Sequence, residues 1–428
     1  MNEKHTIGRR NLLKTVGAAA LESILIYKRA TADTNQSNAE KKTRKPEYPQ
    51  VPKRILGKTK IKVPCLCIGT ATSNLVEKQI ILRKALQWGV TCWDTATNYA
   101  GGNSEIGIGK FLSKNLEVRK GLFIISKPPD IRTTVPNVAS VERHLQTSLK
   151  RMNTKYVDLY LGVHNIRNSA QLTEELKQWV ESAKKRKLIR FFGFSTHTNM
   201  WQCLAAAAKL DWIDAIITVY NFRVMQDPKM QAAIEACHKA GIGLIAIKTQ
   251  AAGPVARWVG QVVKVETKED KRLVGYFTKR GFTEGQTKIK AVLQDERFSS
   301  VCVGIGNVAL LASNVDAVLD KTKLMQADMD VLNRYAQETS RNYCAGCAEI
   351  CDSTLPDALC HGQISDIIRF LMYYNNYGDK ERAKRLFRHI PAGVRGELLS
   401  TDYTLAEARC PQHLPIGKLV AEAVIKLS

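Results

Sequence analysis

Residues 156–196 read YVDLYLGVHNIRNSAQLTEELKQWVESAKKRKLIRFFGFST. A short apolar run, YVDLYLGVH, ends on a histidine. A helix-period segment, LTEELKQWVESAKKR, comes next, and a second apolar run, IRFFGFST, closes the unit. The same alternation recurs from about residue 54 to 320. The other apolar runs are KVPCLCIGT, TCWDTA, LFIISKP, DAIITVYN, IGLIAIKT and SVCVGIG, with helical patterns such as EKQIILRKALQWG, SVERHLQTSLKRMN, KMQAAIEACHKAG and VALLASNVDAV between them. Eight strand–helix units over this length are what a (β/α)8 TIM barrel requires, and continuous Val/Ile/Leu-rich strands suit a parallel sheet covered on its outside. A doubly wound open sheet would want a glycine-rich phosphate loop after its first strand. CLCIGTATSNL has no G-x-G-x-x-G, so the barrel is the better reading.

Two stretches break the rhythm. Residues 250–284 form a long interruption after the seventh strand, on the face where barrel loops build active sites, and are expected to lid or shape a pocket. Beyond residue 320 the alternation stops. DMDVLNRYAQETSRNY and ISDIIRFLMYYNNYGDKERAKRLFRHI read as helices of a smaller, cysteine-bearing module spanning 321–428.

The 428 residues carry a formal net charge of +24. Much of this charge lies along helix faces or in KKTRKPEYPQVPKR at 41–54. With no zinc-finger spacing and no basic-aromatic motif, the reading is solvated basic faces and no nucleic-acid partner. The N-terminus resembles a twin-arginine signal peptide over residues 1–32. Arg9 and Arg10 precede LLKTVGAAALESILIY, which is too short and too interrupted by Glu22 to span a bilayer, and ATA at 30–32 offers a small-residue cleavage site. The consensus Ser/Thr and Phe are Gly8 and Leu12 here. Residues 33–53 then read as a linker. Such a signal implies passage through the twin-arginine translocase, already folded, to a periplasmic or otherwise exported location.

In a barrel, the C-terminal ends of different strands converge on one pocket. Asp94 and Tyr99 follow the second apolar run, Lys127 ends the third and His164 ends the fourth. Taken singly, Asp94 would cap a helix, Tyr99 would pack half-buried, Lys127 would be a solvated loop residue and His164 a core histidine. As a set on three consecutive strand ends, they point to a catalytic cleft.

Here the sequence resembles the aldo/keto reductase family, over roughly residues 54–320. RILGKTKIKVPCLCIGTAT, WDTATNYAGGNSEIGIGKFL and the positions of Lys127 and His164 carry the likeness. The resemblance implies an oxidoreductase using NAD or NADP on a carbonyl, alcohol or sugar substrate. It makes Tyr99 the general acid, Lys127 its partner, Asp94 the carboxylate holding the lysine, and His164 the group that orients and donates to the substrate oxygen. On this expectation the lysine cation lowers the tyrosine's pKa. The family correspondence also points to Ser195 and Thr196 as carboxamide contacts. Tyr220, in the tripeptide VYN with Asn221, joins the cofactor set. Gly304, Ile305 and Gly306 are expected as main-chain phosphate contacts and Asn314 as the adenine contact. The basic residue near Gly304 and the arginine at Leu310 that NADP users carry are missing, and Ile247 then Lys248 stand where an aromatic usually stacks on the nicotinamide.

Five of the 11 cysteines cluster near the C-terminus. YCAGCAEIC gives C-x2-C-x3-C at Cys344, Cys347 and Cys351, and ARCPQHLPI supplies Cys410 before a proline. This resembles half of a two-cluster ferredoxin, and the ferredoxin-like tail of some bacterial aldo/keto reductases, implying one [4Fe-4S] cluster held by these four residues. Cys360 is a substitute for Cys351, whose spacing is one residue longer than usual. Zinc and paired disulfides are the alternatives. An electron-transfer partner is then conceivable. The competing functional classes are a binding barrel without turnover and an electron-transfer protein whose barrel is scaffold.

Overall fold

The computed structural model describes residues 47–71, 74–130, 136–251, 267–359, 363–376 and 378–428. The signal-peptide reading, most of the linker and Cys360 lie outside these. Among the described residues there are ten strands: β1 Lys53–Ile55, β2 Lys62–Pro64, β3 Leu66–Gly69, β4 Cys92–Asp94, β5 Phe123–Ser126, β6 Val157–Ile166, β7 Ile189–Thr196, β8 Ala215–Val219, β9 Gly243–Ile247 and β10 Phe298–Gly304. Strands β3 to β10 pair in parallel, each with the next, and β10 returns to β3 to close an eight-stranded barrel. The fold is the one the alternation predicts. The first apolar run divides at Cys65. Its head joins the β1–β2 hairpin, and only Leu66–Gly69 enters the barrel.

The barrel has two apolar layers because side chains alternate across each strand. Inward residues such as Leu56, Val63, Ile125, Leu161 and Ile245 fill the interior, so the β1–β2 hairpin plugs one end. Three thiols share that interior, since Cys302 pairs with Cys67 and Cys67 with Cys92 in register. Outward residues pack beneath helices Gln79–Gln87, Val138–Arg151, Glu174–Lys185, Pro228–Lys239 and Val308–Leu319. These helices start where the chemistry directs. Asn137, Thr173, Asp227 and Asn307 each accept a backbone N–H of the first turn through a side-chain oxygen.

The segment NSEIGIGKFL forms helix Asn103–Lys114. Its glycines are packing requirements: a Cβ on Gly109 would stand 2.1 Å from the Arg151 carbonyl oxygen. Glu105 is fully buried and serves the site from behind. It accepts from Ser126 Oγ at 2.8 Å, and Arg151 reaches it at 3.4 Å.

Two boundaries differ from the sequence reading. Residues at the end of the expected linker already belong to the barrel, with Val51 buried and its N–H bonded to the Trp88 carbonyl. Helix Gln326–Glu338 also joins the barrel core, through Leu332 and Tyr335. The second core begins only at Leu355 and runs through helices Gln363–Asn375, Lys380–Arg388, Thr404–Arg409 and Ile416–Leu427. The amphipathic helix after residue 320 thus covers the barrel, and the helices beyond Leu355 have a core of their own.

That C-terminal module is clamped to the barrel by buried charge. Arg167, just beyond β6, meets Asp366 at 2.6 Å, and Arg369 of the same module helix also pairs with Asp366. Asp130, after β5, lies 3.9 Å from Arg369 and 4.0 Å from Arg167. Breaking one member of such a network leaves an uncompensated buried charge.

Candidate active site

A cavity of about 960 Å³ opens at the C-terminal ends of the barrel strands. Asp94, Tyr99, Lys127 and His164 all line it. Lys127 Nζ donates to Asp94 Oδ1 at 2.5 Å and to the Thr95 carbonyl at 2.9 Å. The ammonium stands 4.8 Å from the centre of the Tyr99 ring. The His164 ring meets Tyr99 edge-on, with ring centres 6.4 Å apart. The turn that presents Tyr99 is strained, because Ala100 adopts φ 49° without being glycine.

The electrostatics of this group differ from the sequence expectation in one respect. Burial raises the Tyr99 hydroxyl and Lys127 pulls it back, but burial prevails and the phenol sits at about 12. Water exclusion penalises the phenolate more than the nearby cation rewards it. Burial also works against the Lys127 ammonium, yet Asp94 and Tyr99 more than offset it, so the lysine stays protonated. The Asp94 carboxyl is raised by burial, with Lys127 opposing.

His164 is anchored by a main-chain carbonyl. Its Nδ1 lies 2.9 Å from the Pro128 carbonyl oxygen. A carbonyl only accepts, so Nδ1 carries the proton. Burial, helped by Lys127, holds the imidazole well below its ordinary pKa. The neutral ring therefore offers Nε2 as an acceptor, suited to an alcohol hydroxyl more than to a carbonyl oxygen.

The expected cofactor contacts divide. Ser195, Gly304 and Asn314 line the cavity. Gly306 lies just past it, its carbonyl accepting from Lys78. Thr196 is not on the lining. It is fully buried, and its hydroxyl is committed to the Ile166 and Thr198 carbonyls. Tyr220 is likewise a core residue, stacked on Phe298 at 4.3 Å and donating to Asp295 at 2.7 Å. The reason is register: neighbouring residues of a strand face opposite sides, so Ser195 meets the cavity while Thr196 turns away.

The remaining wall fits a dinucleotide. Helix Val308–Leu319 begins at the cavity, where Asn307 and Leu310 line it, and a helix N-terminus suits a pyrophosphate. Asn314 is buried, and its amide Nδ2 has no hydrogen-bond partner among the described residues. Glu284 is buried with an equally unpartnered Oε1. Its neighbour Gln286 donates to the Ser313 carbonyl at 3.2 Å, which brings the carboxylate to the Asn314 end. The long interruption does shape the pocket, for Val274, Thr278 and Thr283 line it, while residues 252–266 lie outside the described set.

A model of the aldo/keto reductase family matches residues 66–336. The chain belongs to the aldo/keto reductase family. Among curated relatives, this aldo/keto reductase is 26% identical over 214 residues to the aldo-keto reductase AFTS1 of Alternaria alternata. That match covers 42% of this chain and 57% of the relative. It is 25% identical over 285 residues to the uncharacterized oxidoreductase YrpG of Bacillus subtilis, covering 60% of this chain and 81% of that one. The match thus spans a little over half the length of the Alternaria relative. Among solved structures, the thermostable aldo-keto reductase Tm1743, in complex with the inhibitor epalrestat, superposes with TM-score 0.52 at 26% identity. It covers 66% of this chain and 99% of that chain. The holo form of AKR11C1 from Bacillus halodurans gives TM-score 0.55 at 20% identity, covering 70% and 99%, and shows the fold alone.

Much of this enzyme's cavity comes from residues that motif reading missed. Lys248 ends β9 as Lys127 ends β5, the same signal of a polar residue closing an apolar run, and it sits at φ 58°. Arg369, Phe370, Tyr373, Arg382, Arg385 and His389 reach the lining from the C-terminal module. Their helices read in sequence as ordinary basic faces.

The expected metal ligands gather in that module. Cys344, Cys347, Cys351 and Cys410 are all free, and the ionisation of the Cys344 thiol, already opposed by burial, is opposed further by the other three. Gly346 lets their loop dock. It has φ 80°, a Cβ there would stand 2.4 Å from the His197 carbonyl oxygen, and its own carbonyl accepts from Asn199 N–H at 2.7 Å. Among the described residues, however, no group of three or more His, Cys, Asp or Glu side chains is arranged to hold a metal ion. Protonated thiols do not attract one another, so drawing them into ligand geometry falls to the metal itself.

Proposed function

We propose that this aldo/keto reductase exchanges hydride between a nicotinamide dinucleotide and a carbonyl or alcohol substrate, with Tyr99 as the proton-carrying group. The convergence of Tyr99, Lys127, Asp94 and His164 on one large cavity carries the reading. When bound, the dinucleotide supplies or removes hydride at the substrate carbon. Ser195, Gly304, Asn307 and Asn314 are the residues that would hold it.

The chain's own residues manage the proton. Tyr99 holds it at neutral pH and passes it to an alkoxide, which is far more basic than a phenolate. Lys127 remains charged beside the ring and stabilises the phenolate left behind, and Asp94 fixes the lysine. His164 Nε2 accepts from an alcohol hydroxyl and so orients it. Near Asn314, the Glu284 carboxylate favours a ribose with free hydroxyls over one bearing phosphate, which makes NAD the better cofactor than NADP. The decisive test is fluorescence titration with NADH and NADPH, combined with turnover by Tyr99→Phe. A protein that binds neither dinucleotide, or whose turnover ignores Tyr99→Phe, sinks this reading.

Cys344, Cys347, Cys351 and Cys410 are assigned as ligands of one [4Fe-4S] cluster, supported by their spacing in the chain and by the Cys344 thiol, whose ionisation the other three oppose. Anaerobic purification followed by absorption spectroscopy and iron analysis tests it. A colourless protein with stoichiometric zinc refutes it. A small second cavity beside Cys344 shares His197, Lys248 and Arg369 with the main one, which favours electron passage as a second reading. In that case Cys344→Ser abolishes function while Tyr99→Phe does not. Export through the twin-arginine route rests on residues 8–32. It is tested by fractionating cells that express the full chain and its Arg9→Lys, Arg10→Lys variant.

A further inference from the structure

The roof of the cavity is the region the dehydrogenase reading leaves unused. Helix Gln363–Asn375 contributes Arg369 and Tyr373, helix Lys380–Arg388 contributes Arg382 and Arg385, and Lys248 rises from the barrel to meet them. Lys248 Nζ stands 4.6 Å from the centre of the Tyr373 ring and the Arg382 guanidinium 4.9 Å from it. Arg369 reaches the Tyr373 hydroxyl at 3.4 Å.

Basic side chains outnumber carboxylates on this part of the lining. Arg369 is matched by Asp366 and Asp130, and Arg382 meets Asp379 at a longer 3.8 Å. Arg385 has no carboxylate partner among the described residues. The lining as a whole carries Lys127, Lys248, Arg369, Arg382 and Arg385 against Asp94, Asp130 and Glu284. The Asp94–Lys127 pair is self-contained and Glu284 lies at the Asn314 end, while Asp130, Asp366 and Asp379 hold Arg369 and Arg382, and Arg385 adds positive charge at the roof. Tyr99, His164, Arg382 and Arg385 line the same cavity, so one small molecule can span from the reacting end to the roof.

We infer that the substrate is an anion, a small polyol or carbonyl compound bearing a carboxylate or phosphate, whose charged end is received by Arg382, Arg385 and Lys248. This rests on the reading of the cavity as a substrate site, but its test needs no turnover. A guanidinium fork recognises either anion in a bidentate manner. Low water content inside the cavity makes the attraction larger than at an open surface.

The test is calorimetric titration of the full chain with two matched pairs, D-gluconate against sorbitol and glucose 6-phosphate against glucose. At least one anion is expected to bind ten-fold or more tightly than its neutral partner, and the pair that does so says whether the group is carboxylate or phosphate. Arg382→Gln and Arg385→Gln each reduce that preference at least three-fold, the double variant removes it, and Arg382→Lys keeps part of it. Circular dichroism establishes that the variants are folded. Equal binding of anion and neutral partner in both pairs overturns the inference, as does a preference unchanged in the folded double variant. NADH titration of the same samples separates the two failures: no NADH binding defeats the dehydrogenase reading, whereas NADH binding without anion preference defeats only this inference.

Discussion

The cavity is bounded by two charged walls of opposite character. Its floor, on the barrel, is internally neutralised: Asp94 meets Lys127 at 2.5 Å, and burial keeps Tyr99 protonated. Its roof, on the C-terminal module, is crowded with basic side chains. Burial alone would raise the Tyr373 hydroxyl, but Lys248, Arg369 and Arg382 overcome it and bring it down to about 7. Two tyrosines in one cavity thus stand at about 12 and about 7, the first through burial and the second through its cationic neighbours. A floor that does not titrate suits proton delivery. A roof that is positive and titrates suits recognition.

The largest expected effect breaks the floor. Tyr99→Phe should lower kcat by about 10²–10⁴-fold with dinucleotide binding retained, while Tyr373→Phe, measured under the same saturating conditions, lowers it far less. Comparable losses in both would erase the distinction between the walls. The next attacks the clamp that holds the roof in place. Asp366→Asn strands Arg167 and Arg369 and is expected to cost about 3–5 kcal/mol of stability by denaturant unfolding. A cost below about 1 kcal/mol would mean that the pair behaves like a surface ion pair.

Salt sharpens the comparison further. Raising ionic strength from low to molar levels shortens the screening length from roughly 10 Å or more to about 3 Å. Binding of the preferred anion should weaken several-fold over that range, while NADH-saturated turnover of a neutral substrate changes little. The smallest effect is in pH. Tyr373 is neutral below about pH 7 and a phenolate above it, so anion affinity should fall by a few-fold as pH rises from 6 to 8. The groups facing it are Lys248, Arg369, Arg382 and Tyr343, with Asp130 and Asp366 behind Arg369. In Tyr373→Phe the fall disappears. Across the same interval Tyr99 and Lys127 keep their protons and His164 stays neutral, so the floor contributes no slope.

Some of the site was legible in the chain itself. Asp94, Lys127 and His164 each interrupt or end an apolar run, and a parallel barrel collects such strand ends on one face whatever the details of packing. The glycines of NSEIGIGKFL were legible as a motif, though their purpose, close packing of Gly107 on Leu75 and of Gly109 on the Arg151 carbonyl, emerges only in three dimensions. Thr196 and Tyr220 turn into the core, because motif position does not say which face of a strand end a side chain occupies. One residue of register moves it from cavity to core. The role of His164 turned on a single carbonyl, Pro128, that no pattern announces.

The sequence alone therefore determined the barrel and the gathering of Asp94, Lys127 and His164 on the cavity floor, because both arise from local periodicity and from polar residues placed where an apolar strand has no use for them. Only the tertiary structure decided the roof. Arg369, Tyr373 and Arg382 are more than two hundred residues from Asp94, and their helices look like ordinary solvated faces until buried charge docks them over the strand ends. Docking of that kind depends on which distant surfaces meet, and hydrophobic period carries no record of it.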